Sequence, residues 1–186
     1  MTTTTDLRDL TGTYTIDPAH SRFGFVARHA MVTKVRGAFT DVSGLLTLDP
    51  RGLEHSHVEV TAQADSLTTN NDDRDEHLRS HEFFDVQKYP EVTFRSTRIK
   101  QAGDWAFLVM GELTLHGVTR EVALPLELMG VEVDPYGVIR AGVEGSRRIN
   151  RHHWGLTWNV PLDSGGVLIS DRVTLEFELS LQRIAA

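Results

Sequence analysis

Cysteine is missing from all 186 residues, which excludes disulfide staples, thiolate nucleophiles and zinc sites of the cysteine type together. A chain of this length buries most of its unfolded surface and needs no staple. Cationic charge is in deficit: Lys and Arg number 19 against 26 Asp and Glu, a formal charge of −7. Such a surface repels a phosphate backbone unless basic groups gather on one face, so nucleic acid is not an expected partner. Long apolar runs are absent too, and "MTTTTDLRDLTGTY" has no cationic segment leading into one. The expectation is a soluble cytoplasmic protein with one domain over 13–186. Residues 1–12 read as a disordered lead-in, too polar to offset their ordering entropy, with order starting near Thr13. No internal repeat or linker argues for a second domain.

What the chain has is alternation. "FGFVARH" sets Phe23, Phe25 and Ala27 on one face, and "SHVEVTAQADSL" sets Val58, Val60, Ala62 and Ala64 against Glu59, Thr61, Gln63 and Asp65. "LVMGELTLHG" contributes Leu113 and Leu115. "REVALPLELMGV" contributes Val122, Leu124, Leu126 and Leu128, and "RVTLEFELSLQ" contributes Val173, Leu175, Phe177, Leu179 and Leu181. Gly37 and Gly44 inside such runs mark a bulge, a bend or a close backbone approach, and Pro125 marks an edge or an interrupted ladder. The fold expected is all-β: an extended eight-stranded antiparallel barrel with one or two short helices. One helix is expected within "NNDDRDEHLRS", where Asn or Asp can cap and acidic residues fill the first turn. A second turn is expected at "RHHWGLTW", with its exit at Gly155.

"HEFFDVQKYPEVTF" crowds Phe83, Phe84, Tyr89 and Phe94 around a turn that Pro90 fixes. They read either as a lid or wall at one barrel mouth or as a plug of ordinary core. Trp154 and Trp158 admit the same two readings. Alternation does not decide whether an eight-stranded barrel is filled by side chains or hollow. Runs of about twelve residues at about 3.4 Å each, tilted by about 40°, give a barrel about 30 Å tall, which favours an elongated cavity.

Several segments together, "YTIDPAHSRFGFVARH", "VRGAF", "RDEHLRSHEFFDVQKYPEVTFRS", "GELTLHGVTREVALPL" and "INRHHWG", resemble the YceI-like family of lipocalin-like, polyisoprenoid-binding barrels. The likeness runs from about Tyr14 to Leu181. It departs at "NRHHWG", where similar proteins commonly carry an acidic residue and Phe in place of His153 and Trp154. The resemblance implies a barrel that holds a long isoprenoid chain, a polyprenyl quinone or polyprenol-like lipid, for carriage, storage or transfer without catalysis. The wall expected for it takes Phe23, Phe25, His29 and Phe39 from the first strands and Leu113, Leu115, Leu124 and Leu126 from the middle ones. Leu175 and Phe177 come from the last strand, and Phe83, Phe84, Tyr89, Phe94 and Trp158 from the aromatic segments. His20, Arg74 and His116 are the candidate head-group contacts.

Nine histidines invite other chemistry. His55 and His57 share one strand face, but neither a helical His-Glu-x-x-His nor a spaced carboxylate accompanies them, so no metal is expected. There is no Gly-x-Ser-x-Gly elbow, no glycine-rich phosphate loop, and Ser21 beside His20 is too local a pair for a triad. Two alternatives stay open. One is an isomerase or cyclase acting on a hydrophobic substrate with His20, His29 or His116 as acid or base; the other is a packed-barrel, stress-related interaction protein. No cofactor other than the lipid is expected. The partners expected are the lipid, a membrane in transient contact, and a second copy in a homodimer covering sheet edges.

Overall fold

Three consecutive strands of this protein break at the same level. In the computed structural model, which describes residues 7–185, β1 (Gly12–Ile16) and β2 (Arg22–His29) are one strand interrupted by a 3-10 turn at Pro18–His20. β3 (Thr33–Phe39) and β4 (Val42–Leu48) are one strand kinked at Thr40 and Asp41. β5 (His57–Gln63) and β6 (Leu67–Thr68) are one strand broken at Ala64–Ser66. Ser66 ties the kinks together: its Oγ donates to the Gln63 carbonyl at 2.7 Å and accepts from the Asp41 amide at 3.0 Å. After helix α1 (Asp72–Arg79) come β7 (Glu91–Gln101), β8 (Ala106–Leu115), β9 (Val118–Val133), β10 (Ile139–Asn150) and β11 (Arg172–Ala185).

Every pairing is antiparallel, and β11 closes the ring by pairing with β1 and β2 in succession. Counting each broken strand once, the result is a closed eight-stranded barrel with one helix. Among the described residues, no helix is long and apolar enough to cross a membrane. The lead-in expected over 1–12 lies in part, at residues 1–6, outside the described residues. Leu7–Leu10 winds into a 3-10 turn, and Leu10 is buried because the Tyr14 hydroxyl donates to its carbonyl at 2.8 Å, anchoring it to β1.

Two seams open at the end of the barrel that carries α1. The β5–β7 ladder reaches only Gln63 and Glu91, and α1 with the turns after it fills the space between β6 and β7. The β9–β10 ladder runs from Val133 and Ile139 only as far as Leu126 and Gly145. Pro125 stands at that point, an interrupted ladder as its lack of an N–H requires, and its carbonyl lies so close to Gly145 that a Cβ there would sit 2.4 Å away. A 3-10 turn at Arg151–Trp154, exiting through left-handed Gly155, covers this second seam. The Trp154 indole N–H reaches the Leu113 carbonyl at 3.1 Å, so Trp154 is a buried packing residue.

Candidate functional site: an apolar cavity along the barrel axis

The alternating faces converge on a hollow. At the α1 end a cavity of about 540 Å³ is walled by inward residues of β2, β3, β5, β7, β8, β9 and β11. A second cavity of about 660 Å³ continues toward the opposite end, walled by Tyr14, Ile16, Leu46, Ile99, Leu128 and Leu181 among others. Val58, Val60, Val109, Leu126 and Leu179 border both, so the cavities meet at a waist. Many inward side chains, including Phe23, Phe25, Phe39, Leu175 and Phe177, are only half-buried. In a filled barrel these side chains would have interior neighbours on all sides; here they face open space.

Of the side chains expected to wall a ligand, all but Tyr89 border the α1-end cavity. Aromatic contacts knit them together: Phe25 to Phe39 at 6.0 Å, Phe39 to Phe84 at 5.9 Å, and Phe23 edge-on to Phe177 at 5.9 Å. Phe83 is buried under Trp158 at 5.2 Å, and His77 stands edge-on to both rings. This cluster closes the cavity beside α1, with an aromatic contribution beyond plain area burial. Tyr89 lies elsewhere, packed on the His116 ring at 4.8 Å and across Gly117. The residues of "HEFFDVQKYPEVTF" therefore divide: Phe83, Phe84 and Phe94 border the cavity, and Tyr89 braces the β8–β9 turn.

The three head-group candidates divide as well. Arg74 borders the cavity, but its Nε donates to the Thr69 hydroxyl at 2.7 Å and its guanidinium to the Thr69 carbonyl at 3.0 Å. His20 and His116 stand outside it. His20 is on the outer surface, 2.8 Å from Asp17, because the break between β1 and β2 turns it away from the lumen. His116 occupies the left-handed β8–β9 turn, and its Nδ1 bonds the Trp154 carbonyl at 3.2 Å.

Two buried charges that hold the mouth, Asp75 and Arg151, carry no mark in the sequence. Asp75 is buried inside α1 and accepts from the Thr69 amide at 2.7 Å, the Thr69 hydroxyl at 2.5 Å and the Thr68 hydroxyl at 3.0 Å. Burial pushes its carboxyl up, yet those hydrogen bonds and nearby Arg79 outweigh it and hold the group below the usual carboxylate range. Asn71 caps the helix from the Arg74 amide at 2.9 Å. Arg151 is buried at the floor of the loop between β10 and β11. Its guanidinium donates to the carbonyls of Leu156 at 2.5 Å, Trp158 at 3.0 Å and Ser170 at 3.0 Å. Burial lowers its pKa, and only Asp171 at 4.0 Å opposes that. Both charges are spent on shaping backbone around the mouth. Of these groups, the sequence predicts only the cap of the helix within "NNDDRDEHLRS".

The same architecture recurs among known proteins. A UPF0312 protein of Photorhabdus laumondii is 42% identical to this chain, over 75% of it and 73% of the relative. Protein YceI of Salmonella newport is 39% identical, over 74% and 72%. Among solved structures, a Campylobacter jejuni YceI protein matches with a TM-score of 0.72 at 27% identity, covering 84% of this chain and 89% of that one. A polyisoprenoid binding domain from Saccharophagus degradans matches with a TM-score of 0.70 at 18% identity, covering 91% and 98%, a likeness of fold. The YceI-like domain model matches residues 14–181, and this chain is a member of the YceI-like family.

Proposed function

We propose that this barrel binds a long-chain isoprenoid lipid, a polyprenyl quinone or polyprenol-like molecule, and carries, stores or transfers it without altering it. The observation that supports this most is the pair of apolar cavities meeting end to end at Val60 and Leu179. Each is of the size that holds a small molecule, about 300–1,000 Å³. In series they suit a long flexible chain better than a compact one. The fold likeness to the Saccharophagus degradans domain, whose name says that it binds polyisoprenoid, agrees with that choice.

Energetics favours exchange over trapping. Each CH₂ that leaves water gains about 0.8 kcal/mol, but a prenyl lipid comes from a bilayer, not from water. A cavity as apolar as the bilayer interior lets the chain move either way at small net cost. The polar groups at the mouth support carriage over catalysis: Asp75 and Arg151 are consumed by backbone and hydroxyl partners, and the His77 ring bonds Glu82 at 2.7 Å.

The test is uptake and return. Purified protein mixed with a prenyl quinone in detergent takes up one molecule per barrel and, on extraction, gives it back unchanged. Recovery of a rearranged or cyclised product would favour an enzyme, and no uptake would remove the reading.

A further inference from the structure

The hairpin joining β2 to β3 is chemically unlike the rest of the protein. Between Asp17 and Asp41 there is not one acidic residue, although the chain carries 26, and the same stretch holds Arg22, Arg28, Lys34 and Arg36. Arg22 is paired with Glu176 at 3.3 Å. Arg28 and Lys34 stand directly opposite one another in the β2–β3 register, an arrangement of like charges that weakens a hairpin. Among the described residues neither Lys34 nor Arg36 has an ion-pair partner, and the Arg28 guanidinium reaches only the Val32 carbonyl at 3.4 Å. All three are exposed.

The tip adds a second conflict. Met31 and Val32 are 52% and 74% exposed, and Ala30 and Met31 take left-handed backbone, with φ of 48° and 62°, where glycine or asparagine would be easier. Beside the tip, the Ala30 amide donates to the Leu168 carbonyl at 2.6 Å and the Leu168 amide to the Val160 carbonyl at 2.9 Å, which brings exposed Val160 onto the same edge. His29 and Val35 of this hairpin border the α1-end cavity. A strained turn that presents apolar side chains, ringed by uncompensated cations at a cavity mouth, breaks local rules in a way that marks function.

We propose that this hairpin docks the barrel on an anionic lipid bilayer, Met31 and Val32 entering the interface while Arg28, Lys34 and Arg36 meet the lipid phosphates. Charge complementarity selects the occupant. With a screening length of about 8 Å at physiological salt, the membrane senses the hairpin's cations and little of the acidic surface beyond. Asp72, Asp73, Asp75 and Glu76 on α1 and Asp163 and Asp171 in the β10–β11 loop are the acidic groups of the neighbouring elements; Asp75 is buried on Thr68 and Thr69, and Asp171 is drawn to His152 at 3.2 Å. The opposite end of the barrel offers a contrast: Tyr136, 90% exposed on the β9–β10 hairpin, has Glu132 and Asp134 as neighbours. The docking rests on the carrier reading for its purpose, because cargo enters and leaves through the end that faces its source.

The test is flotation of the full chain with vesicles of phosphatidylcholine alone or mixed with phosphatidylglycerol, with bound lipid extracted from the same preparations. The expected result is binding to the mixed vesicles only, weakened by salt. Lys34→Glu with Arg36→Glu lowers it by about tenfold or more, Met31→Ser with Val32→Ser lowers it by about tenfold, and Tyr136→Ser leaves it unchanged. These positions are exposed, so no variant melts below the wild type, and Lys34→Glu, which places a carboxylate opposite Arg28, melts at or slightly above it. A Met31→Trp reporter shows a blue-shifted emission on the mixed vesicles alone. Wild type that floats with neither vesicle, or with equal strength after the double substitutions, overturns the docking. So does a dimer that Met31→Ser with Val32→Ser dissociates in the absence of any vesicle binding, since the patch is then a self-interface. Barrels that float yet take up no added prenyl quinone would fault the carrier reading and uphold the docking.

Discussion

The ring of Phe25 lies across Gly37, its direct partner in the β2–β3 register, so closely that a Cβ on Gly37 would stand 2.3 Å from the ring's Cζ. The ring also borders the cavity, and the glycine is what lets it lie flat on the wall. Gly37→Ala pushes Phe25 off that wall and costs about 1–3 kcal/mol through overpacking. Thermal melts and lipid uptake check this together: the expected outcome is a lower melting temperature with reduced uptake, and an unchanged pair of values would contradict it.

Leu179 borders both cavities at their meeting point. Leu179→Trp fills the waist, leaves the fold intact, and confines a lipid to the α1-end chamber. The variant retains short prenyl chains and rejects long ones, read by mass spectrometry of lipids extracted after loading with a mixture of chain lengths.

Asp75 holds α1 to β6 through Thr68 and Thr69. Asp75→Ala strands those donors and costs about 1–3 kcal/mol. Because α1 covers the seam between β6 and β7, the loosened helix also speeds lipid release, measured as transfer from loaded protein to acceptor vesicles.

The same carboxyl, with Asp17, sets the acid limit. Hydrogen bonds from Arg140 and His20 hold Asp17 far below the usual carboxylate range, and Asp75 is also depressed. A depressed folded pKa means that the stabilisation is complete above the unfolded value of about 3.9 and drains away as pH falls below it. Stability therefore stays flat with respect to these two groups from neutral pH down to about pH 5 and declines below about pH 4. Asp75→Asn makes that acid decline shallower, as equilibrium urea unfolding at stepped pH would show.

Arg151 supports the β10–β11 loop by donating to four backbone carbonyls, those of Leu156, Trp158, Ile169 and Ser170. Arg151→Met keeps the stem and removes the donors, at a cost of about 3 kcal/mol. Amide exchange accelerates across residues 156–170 while the β7–β8 ladder keeps its protection.

The barrel was legible where period-two alternation continues through a strand. Val173, Leu175, Phe177, Leu179 and Leu181 all point inward because a strand buried on one face has no other way to sort its side chains. Helix α1 was legible through its cap at Asn71 and its acidic first turn. The shared break across three strands was not, since alternation carries no mark for a kink stabilised by Ser66 on neighbouring segments. Tyr89 was misplaced for a related reason: its partner His116 is far along the chain, and an aromatic near a turn looks the same whether it faces a lumen or braces a loop. Arg151 was invisible because a charged residue reads as surface, and the carbonyls that make its burial possible come from backbone, which sequence does not distinguish. The second cavity, walled by Tyr14, Ile16 and Ile99, was not legible because its residues are scattered over several strands and form no cluster along the chain.

The most direct test of the central claim is to extract the purified protein, taken from its native host, with organic solvent and to weigh the extract by mass spectrometry. The expected result is an isoprenoid lipid in stoichiometric amount. An extract without lipid, joined by failure of the same protein to load added prenyl quinone, would contradict it.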